Sequence, residues 1–179
     1  MRNPNPLSVV ICCMLLTGPT LADTLTGVWQ KHQYSFDFMG FTTTYSCDGL
    51  AGKLKALLLT AGARADVKAS PGACAYGFDR PDKFARADLI FYTLAPPTGN
   101  AADGTPVNAQ WLPVDIQARN PRELANGDCE LVEQFRSHVL PMFNTRNIDN
   151  HTTCVPHQES GSMIGLKFDT FSGATKNPL

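Results

Sequence analysis

The chain has 179 residues, with 15 Lys+Arg against 16 Asp+Glu and a formal net charge of −1. It carries no basic stripe or Lys/Arg run. Phosphate contacts demand clustered cations, so no nucleic-acid partner is expected, and an anionic membrane surface is disfavoured on the same ground.

The first 22 residues read as a secretory signal. Arg2 supplies the positive start, Leu7 to Leu16 the apolar run, and Thr20-Leu21-Ala22 the small residues before a cleavage site ahead of Asp23. The apolar run is too short to span a bilayer. A lipid anchor on Cys12 or Cys13 is the competing reading, but bulky Ile11 and Cys12 stand where a lipobox wants a small residue. No later stretch is apolar enough for a membrane span. The expected mature chain has 157 residues (179 − 22), one domain's worth. Its address is the periplasm or the medium.

From Val28 the chain alternates: Val28, Tyr34, Phe36 and Phe38 on one parity, Lys31, Gln33, Ser35 and Asp37 on the other, as in a half-buried strand. Ser46 then offers an N-cap and Asp48 a first-turn anion. Leu50, Leu54, Leu57, Leu58 and Ala61 follow at helical spacing, with Gly62 to end the helix. Ala65, Val67 and Ala69 predict a second strand, and Pro71 to Lys83 a loop holding Cys74. Leu89 to Leu94 (LIFYTL) predicts a third strand covered on both faces. Pro96 to Pro106 reads as a mobile connection.

The order then repeats. Leu112, Val114, Ile116 and Ala118 alternate, with Pro113 arguing for an edge or a bulge. Asp128 is the expected N-cap of a helix whose stripe is Leu131, Phe135, Val139 and Phe143, stopped or kinked by Pro141. A short strand near Arg146 to Asp149, a loop with Cys154, and a final strand through Ile164, Leu166 and Phe168 complete it. The tail from Gly173 is polar.

The pattern predicts an α+β fold of two βαββ halves, about 23–95 and 107–172, within one domain at 23–172. The expected product is a six-stranded, mainly antiparallel sheet with both helices on one face. This order resembles the topology of the bacterial effector-binding and haem-carrier group of folds, a likeness that carries no function by itself.

Four cysteines remain in the mature chain. Cys47 and Cys74 are 27 residues apart, Cys129 and Cys154 are 25 apart. Four cysteines allow three connectivities, and Cys47–Cys74 with Cys129–Cys154 is favoured because each joins neighbouring elements of one half. Export favours disulfides. The competing reading is redox chemistry, since both Cys47 and Cys129 open helices, where thiol pKa values fall; no Cys-x-x-Cys accompanies them.

Enzymatic signatures and cofactor fingerprints are missing: no Gly-x-Ser-x-Gly, His-Glu-x-x-His, P-loop or dinucleotide motif occurs. Ser160-Gly-Ser162 reads as a turn, Glu130 and Glu133 as a solvated helix face, Asp79 and Asp82 as turn formers. His151-Thr-Thr-Cys154-Val-Pro-His157 has ligand types at close spacing, but a disulfide at Cys154 leaves His151 and His157 alone, with His32 a distant third. Trp29 and Trp111 begin the first strands of the halves, on the parity opposite the apolar sets. They are expected on the sheet face the helices leave uncovered, as candidate ligand-binding residues; His32 is a third candidate, but it has the apolar parity of its strand, where a hydrogen-bonded core residue is the favoured reading.

Tyr45-Ser46-Cys47-Asp48-Gly49-Leu50 with Gly62-Ala63-Arg64 beyond, Asp128-Cys129-Glu130-Leu131 running into Val139-Leu140-Pro141, and Cys154-Val155-Pro156-His157 resemble a group of small exported proteins of Gram-negative bacteria with no assigned activity. The resemblance implies export and paired cysteines and transfers no catalytic residue. The expected function is non-enzymatic binding of a small molecule or an envelope protein. The alternatives are a cofactor-free hydrolase built on His32 or His138, and metal handling through His151 and His157.

Overall fold

The alternation that starts at Val28 belongs to a longer strand, β1 (Leu25–Met39), in the computed structural model, which describes residues 25–72, 74, 80–97 and 104–173. The expected signal segment, Asp79, the middle of the 96–106 connection and the tail beyond Gly173 lie outside the described residues. Phe36 and Phe38 of β1 are buried, while the intervening Ser35 and Asp37 are exposed.

Helix α1 (Cys47–Thr60) begins where the Ser46 hydroxyl accepts the Gly49 amide at 3.1 Å. It ends where Gly62 turns left-handed at φ +97°, letting the Ala63 amide reach Leu58 O and the Gly62 amide reach Leu59 O. Strand β2 (Lys68–Pro71) then pairs with β3 (Phe84–Ala95). Within the run Leu89 to Leu94 one face is buried at Leu89, Phe91 and Thr93, and the other is half-buried at Ile90 and Tyr92 and buried at Leu94; the strand begins earlier than the run, and there Phe84, Arg86 and Asp88 are exposed.

The second half follows as β4 (Val107–Gln117), α2 (Cys129–His138), β5 (Thr145–Asn150) and β6 (Gly165–Gly173). Pro141 closes α2 inside a 3-10 turn, Leu140–Met142. Asp128 precedes α2 but makes no side-chain cap bond; its carboxylate is engaged by Tyr45, Lys53 and the Ala125 amide instead.

The six strands form one antiparallel sheet in the order β2-β3-β1-β4-β6-β5. The order reads the same from either end when β1, β2 and β3 exchange with β4, β5 and β6. Among the described residues the ladder between the halves, β1 with β4, has three residue pairs: Leu25 with Ala109, Thr26 with Asn108 and Gly27 with Val107. Pro113 therefore lies on an interior strand, paired with Asp169 of β6, in the stretch beyond the β1–β4 pairs of the described residues.

One offset of 82 residues relates the halves through this junction: Thr26 to Asn108 (108 − 26), Trp29 to Trp111 (111 − 29) and Cys47 to Cys129 (129 − 47). Between residues 25–64 and 107–146 this offset brings identical residues together only at Trp29/Trp111, Cys47/Cys129, Leu58/Leu140 and Arg64/Arg146.

Both helices lie on one sheet face and share a core. Leu50, Leu54, Leu57 and Leu58 of α1 and Leu131, Val132 and Phe135 of α2 pack with Phe36, Phe91, Ile116 and Phe168 of the strands. Disulfides Cys47–Cys74 and Cys129–Cys154 tie the start of each helix to the segment between the last two strands of its half, with Cα atoms 6.4 and 5.6 Å apart. Among the described residues no helix is long and apolar enough to cross a membrane.

Candidate functional site on the helix-free face

Side chains alternate along each strand, so pairing register decides which residues share the face without helices. Trp29 stands opposite Leu94, and Lys31 opposite Tyr92. The β1–β4 register places Ala109 and Trp111 on the same side, and the β4–β6 register adds Phe171 and Gly173. Leu94, Ala109 and Phe171 are buried there as a second, smaller cluster, with Trp29, Val107 and Trp111 half-buried against it. Trp29 reaches across to within 3.6 Å of where a side chain on Gly173 would begin, so the two indoles belong to one continuous patch.

Each indole has an arginine beside it. The Arg146 guanidinium lies 4.4 Å from the Trp111 ring centre. The Arg64 guanidinium lies 3.6 Å from the centre of Tyr92 and 5.7 Å from that of Trp29. Each arginine is oriented by an aspartate. Arg64 donates through Nε and Nη2 to both oxygens of Asp66, at 2.8 and 2.7 Å. Arg146 donates Nε to Asp169 at 3.1 Å, and Asn147 donates to the same oxygen at 2.8 Å. The hydrogen bond from Arg64 holds the Asp66 carboxyl below the usual carboxylate range. Beside the second stack, Pro113, Asp115, Asn147, Lys167 and Asp169 line an open cleft of about 410 Å³.

The structure thus brings Trp29 and Trp111 together on the uncovered face and separates His32 from them. His32 has the parity of Phe36 and points to the helix side. It stacks on Phe91 at 5.1 Å, and its Nε2 lies 2.8 Å from the Thr93 hydroxyl, which donates to Met142 O. Burial lowers its pKa. Neither His32 nor His138 meets a carboxylate among the described residues. His151 pairs with Asp149 at 2.9 Å, both exposed, and His157 stands edge-on to Phe41 at 6.2 Å. No group of three metal-ligating side chains occurs among the described residues. The Ser162 hydroxyl accepts the Val155 amide and donates to Gln158 O, which makes it a turn residue.

Glu130 corrects the reading of a solvated acidic face. It is buried, and its carboxylate accepts the Phe41 and Thr42 amides at 3.0 and 3.2 Å. Beside it Asp128, 2 % exposed, accepts from the Tyr45 hydroxyl, from Lys53 at 2.7 Å and from the Ala125 amide at 2.6 Å. Burial and the adjacent Asp128 carboxylate raise the Tyr45 pKa far above its ordinary value, so the phenol stays a donor. Tyr45 and Lys53 belong to the first half, Asp128 and Glu130 to the second. The network sews the halves together and is satisfied internally.

Arg64, Tyr92, Arg146 and Phe171 are site residues that a reading of strand parity alone misses. Arg64 and Arg146 are identical residues at the offset that relates the two tryptophans, and that recurrence is the signal that finds them. No family model, curated protein or solved structure matches the chain.

Proposed function

We propose that this chain is an exported binding protein that takes up a small molecule or a partner on the helix-free face, between the Arg64–Trp29 and Arg146–Trp111 stations. The recurrence of an arginine beside the tryptophan in both halves carries the reading. Burial of a core requires leucines and phenylalanines; it does not require an indole with an aspartate-bound guanidinium beside it at equivalent positions of two otherwise dissimilar halves. Exposed aromatic surface rimmed by polar groups is the ordinary signature of a recognition site. Two disulfides support an oxidising compartment, and the apolar leader with Thr20-Leu21-Ala22 supports cleavage after Ala22 and release into the periplasm or medium.

The test uses the fact that Trp29 and Trp111 are the chain's two tryptophans, so intrinsic emission reports this face alone. Ligands that bind here shift the emission, and Trp29→Ala or Trp111→Ala weakens them while leaving the far-ultraviolet circular dichroism in place. If both variants unfold the protein, the indoles are core and the site is elsewhere. Intact-mass analysis of the secreted protein locates its first residue; a chain beginning at Met1 would remove the export reading.

A further inference from the structure

The face selects for one chemistry more than others, and we propose that its occupant is an uncharged glycan chain laid across the two Trp–Arg stations. This rests on the helix-free face being the binding surface.

Charge comes first. At the second station Arg146 is matched by Asp169 and Lys167 by Asp115, so little net field attracts a polyanion there; at the first, Arg64 is matched by Asp66, with exposed Lys31 and Lys68 beside them, and the polyglutamate arm of the experiment tests that excess. Shape comes next. A drug-sized molecule needs a concave pocket that buries most of its surface. Here the floor is a sheet, and the adjoining cleft of about 410 Å³ is open. A flat platform suits an extended polymer that makes a few contacts per unit.

Hydrogen bonding separates the remaining polymers. Each station displays donors and acceptors on planar side chains next to an apolar ring. Arg146 uses Nε on Asp169, and its two terminal nitrogens meet no acceptor among the described residues. The Asp66 and Asp169 side chains are 52 % and 24 % exposed, leaving carboxylate lone pairs reachable. A proline-rich peptide offers carbonyl acceptors and few donors, so it answers the guanidinium and leaves the carboxylates unanswered. A sugar hydroxyl donates and accepts at once. Neighbouring hydroxyls match a guanidinium–carboxylate pair, and the C–H face of a pyranose ring covers apolar aromatic surface. Two equivalent stations suit a ligand with a repeating unit, because the second contact is made at high effective concentration.

The experiment titrates the folded, disulfide-bonded protein with cellohexaose, chitohexaose, maltohexaose and their monosaccharides, followed by tryptophan emission and calorimetry. Decaproline and polyglutamate are run in parallel. The expected result is that at least one hexasaccharide binds about tenfold or more tighter than its monosaccharide. Arg146→Ala and Trp111→Ala weaken it to a similar degree, and the remote pair Arg119→Ala/Arg122→Ala does not. Arg146 is half-exposed, so its variant carries the test where an indole variant loses its fold. If no hexasaccharide binds while decaproline or polyglutamate shifts the emission, the glycan assignment is wrong and the face remains a binding surface. If a hexasaccharide binds unchanged in folded Trp29→Ala and Trp111→Ala, both the assignment and the face are wrong. If none of the probes binds, the glycan assignment also falls.

Discussion

Leu94 of β3 and Phe171 of β6, from opposite halves of the chain, close over Gly27 on the helix-free face. A Cβ added to Gly27 would stand 2.6 Å from Leu94 Cγ and 2.9 Å from Phe171 Cε1. Gly27 also supplies one of the three residue pairs that join β1 to β4. Gly27→Ala is therefore expected to destabilise by about 1–3 kcal/mol, the usual cost of overpacking. Urea unfolding checks this, and a further loss with Gly27→Val is expected. An unchanged midpoint would mean that the two side chains yield freely.

Glu130 and Asp128 make a second prediction. Glu130→Ala leaves the Phe41 and Thr42 amides without their carboxylate, at an expected cost of about 1–3 kcal/mol, whereas Glu130→Gln keeps an acceptor and costs less. Asp128→Ala strands the Tyr45 hydroxyl and the Ala125 amide and leaves Lys53 with Glu123 O in place of its carboxylate, at an expected cost of about 3 kcal/mol. Tyr45→Phe in the Asp128→Ala background should cost little more, because the two share one interaction. Additive losses in that double-mutant cycle would show that the residues act independently.

The disulfides close loops with sequence separations of 27 and 25. In the chain-entropy account each stabilises the fold by about 3.5 kcal/mol. The pairs Cys47→Ser/Cys74→Ser and Cys129→Ser/Cys154→Ser should each lower the unfolding free energy by that order. Mass spectrometry of the non-reduced digest should find only these two cross-links among Cys47, Cys74, Cys129 and Cys154. A Cys47–Cys129 linkage would contradict the fold.

His32 gives stability a pH dependence of defined sign. Burial lowers its folded pKa below the ordinary imidazole value of 6.5. The unfolded state therefore binds the proton more readily as pH falls through that value. The stability contributed by neutral His32 is fully present above about pH 6.5 and declines on acidification until the folded pKa is passed. His32→Gln, which keeps a hydrogen-bonding group near Thr93, should flatten this part of the profile. An unaltered slope would assign the dependence to other groups.

The element order was legible because each signal is local. Leucines at helical spacing behind Ser46, the alternation through Phe36 and Phe38, and Pro141 at the end of α2 each act within a few residues. The limits of strands were less legible: β3 begins at Phe84, well before its apolar run, because pairing with β1 and β2 recruits exposed Arg86 and Asp88 into the ladder. The role of Glu130 was hidden for a related reason. Its partners are amides 88 and 89 residues away, and nothing in a helical wheel records them.

The sequence by itself determined the two βαββ halves and the parity that sets Trp29 and Trp111 apart from the core and from His32, since these follow from periodicity; among three possible cysteine pairings it favoured, without deciding, the one the structure shows. The tertiary structure decided that the two indoles share one patch and that Arg64 and Arg146 flank them. Those facts depend on the register at Thr26 and Asn108. Pairing across that junction is a long-range choice, fixed when the two halves bury Leu94, Ala109 and Phe171 together.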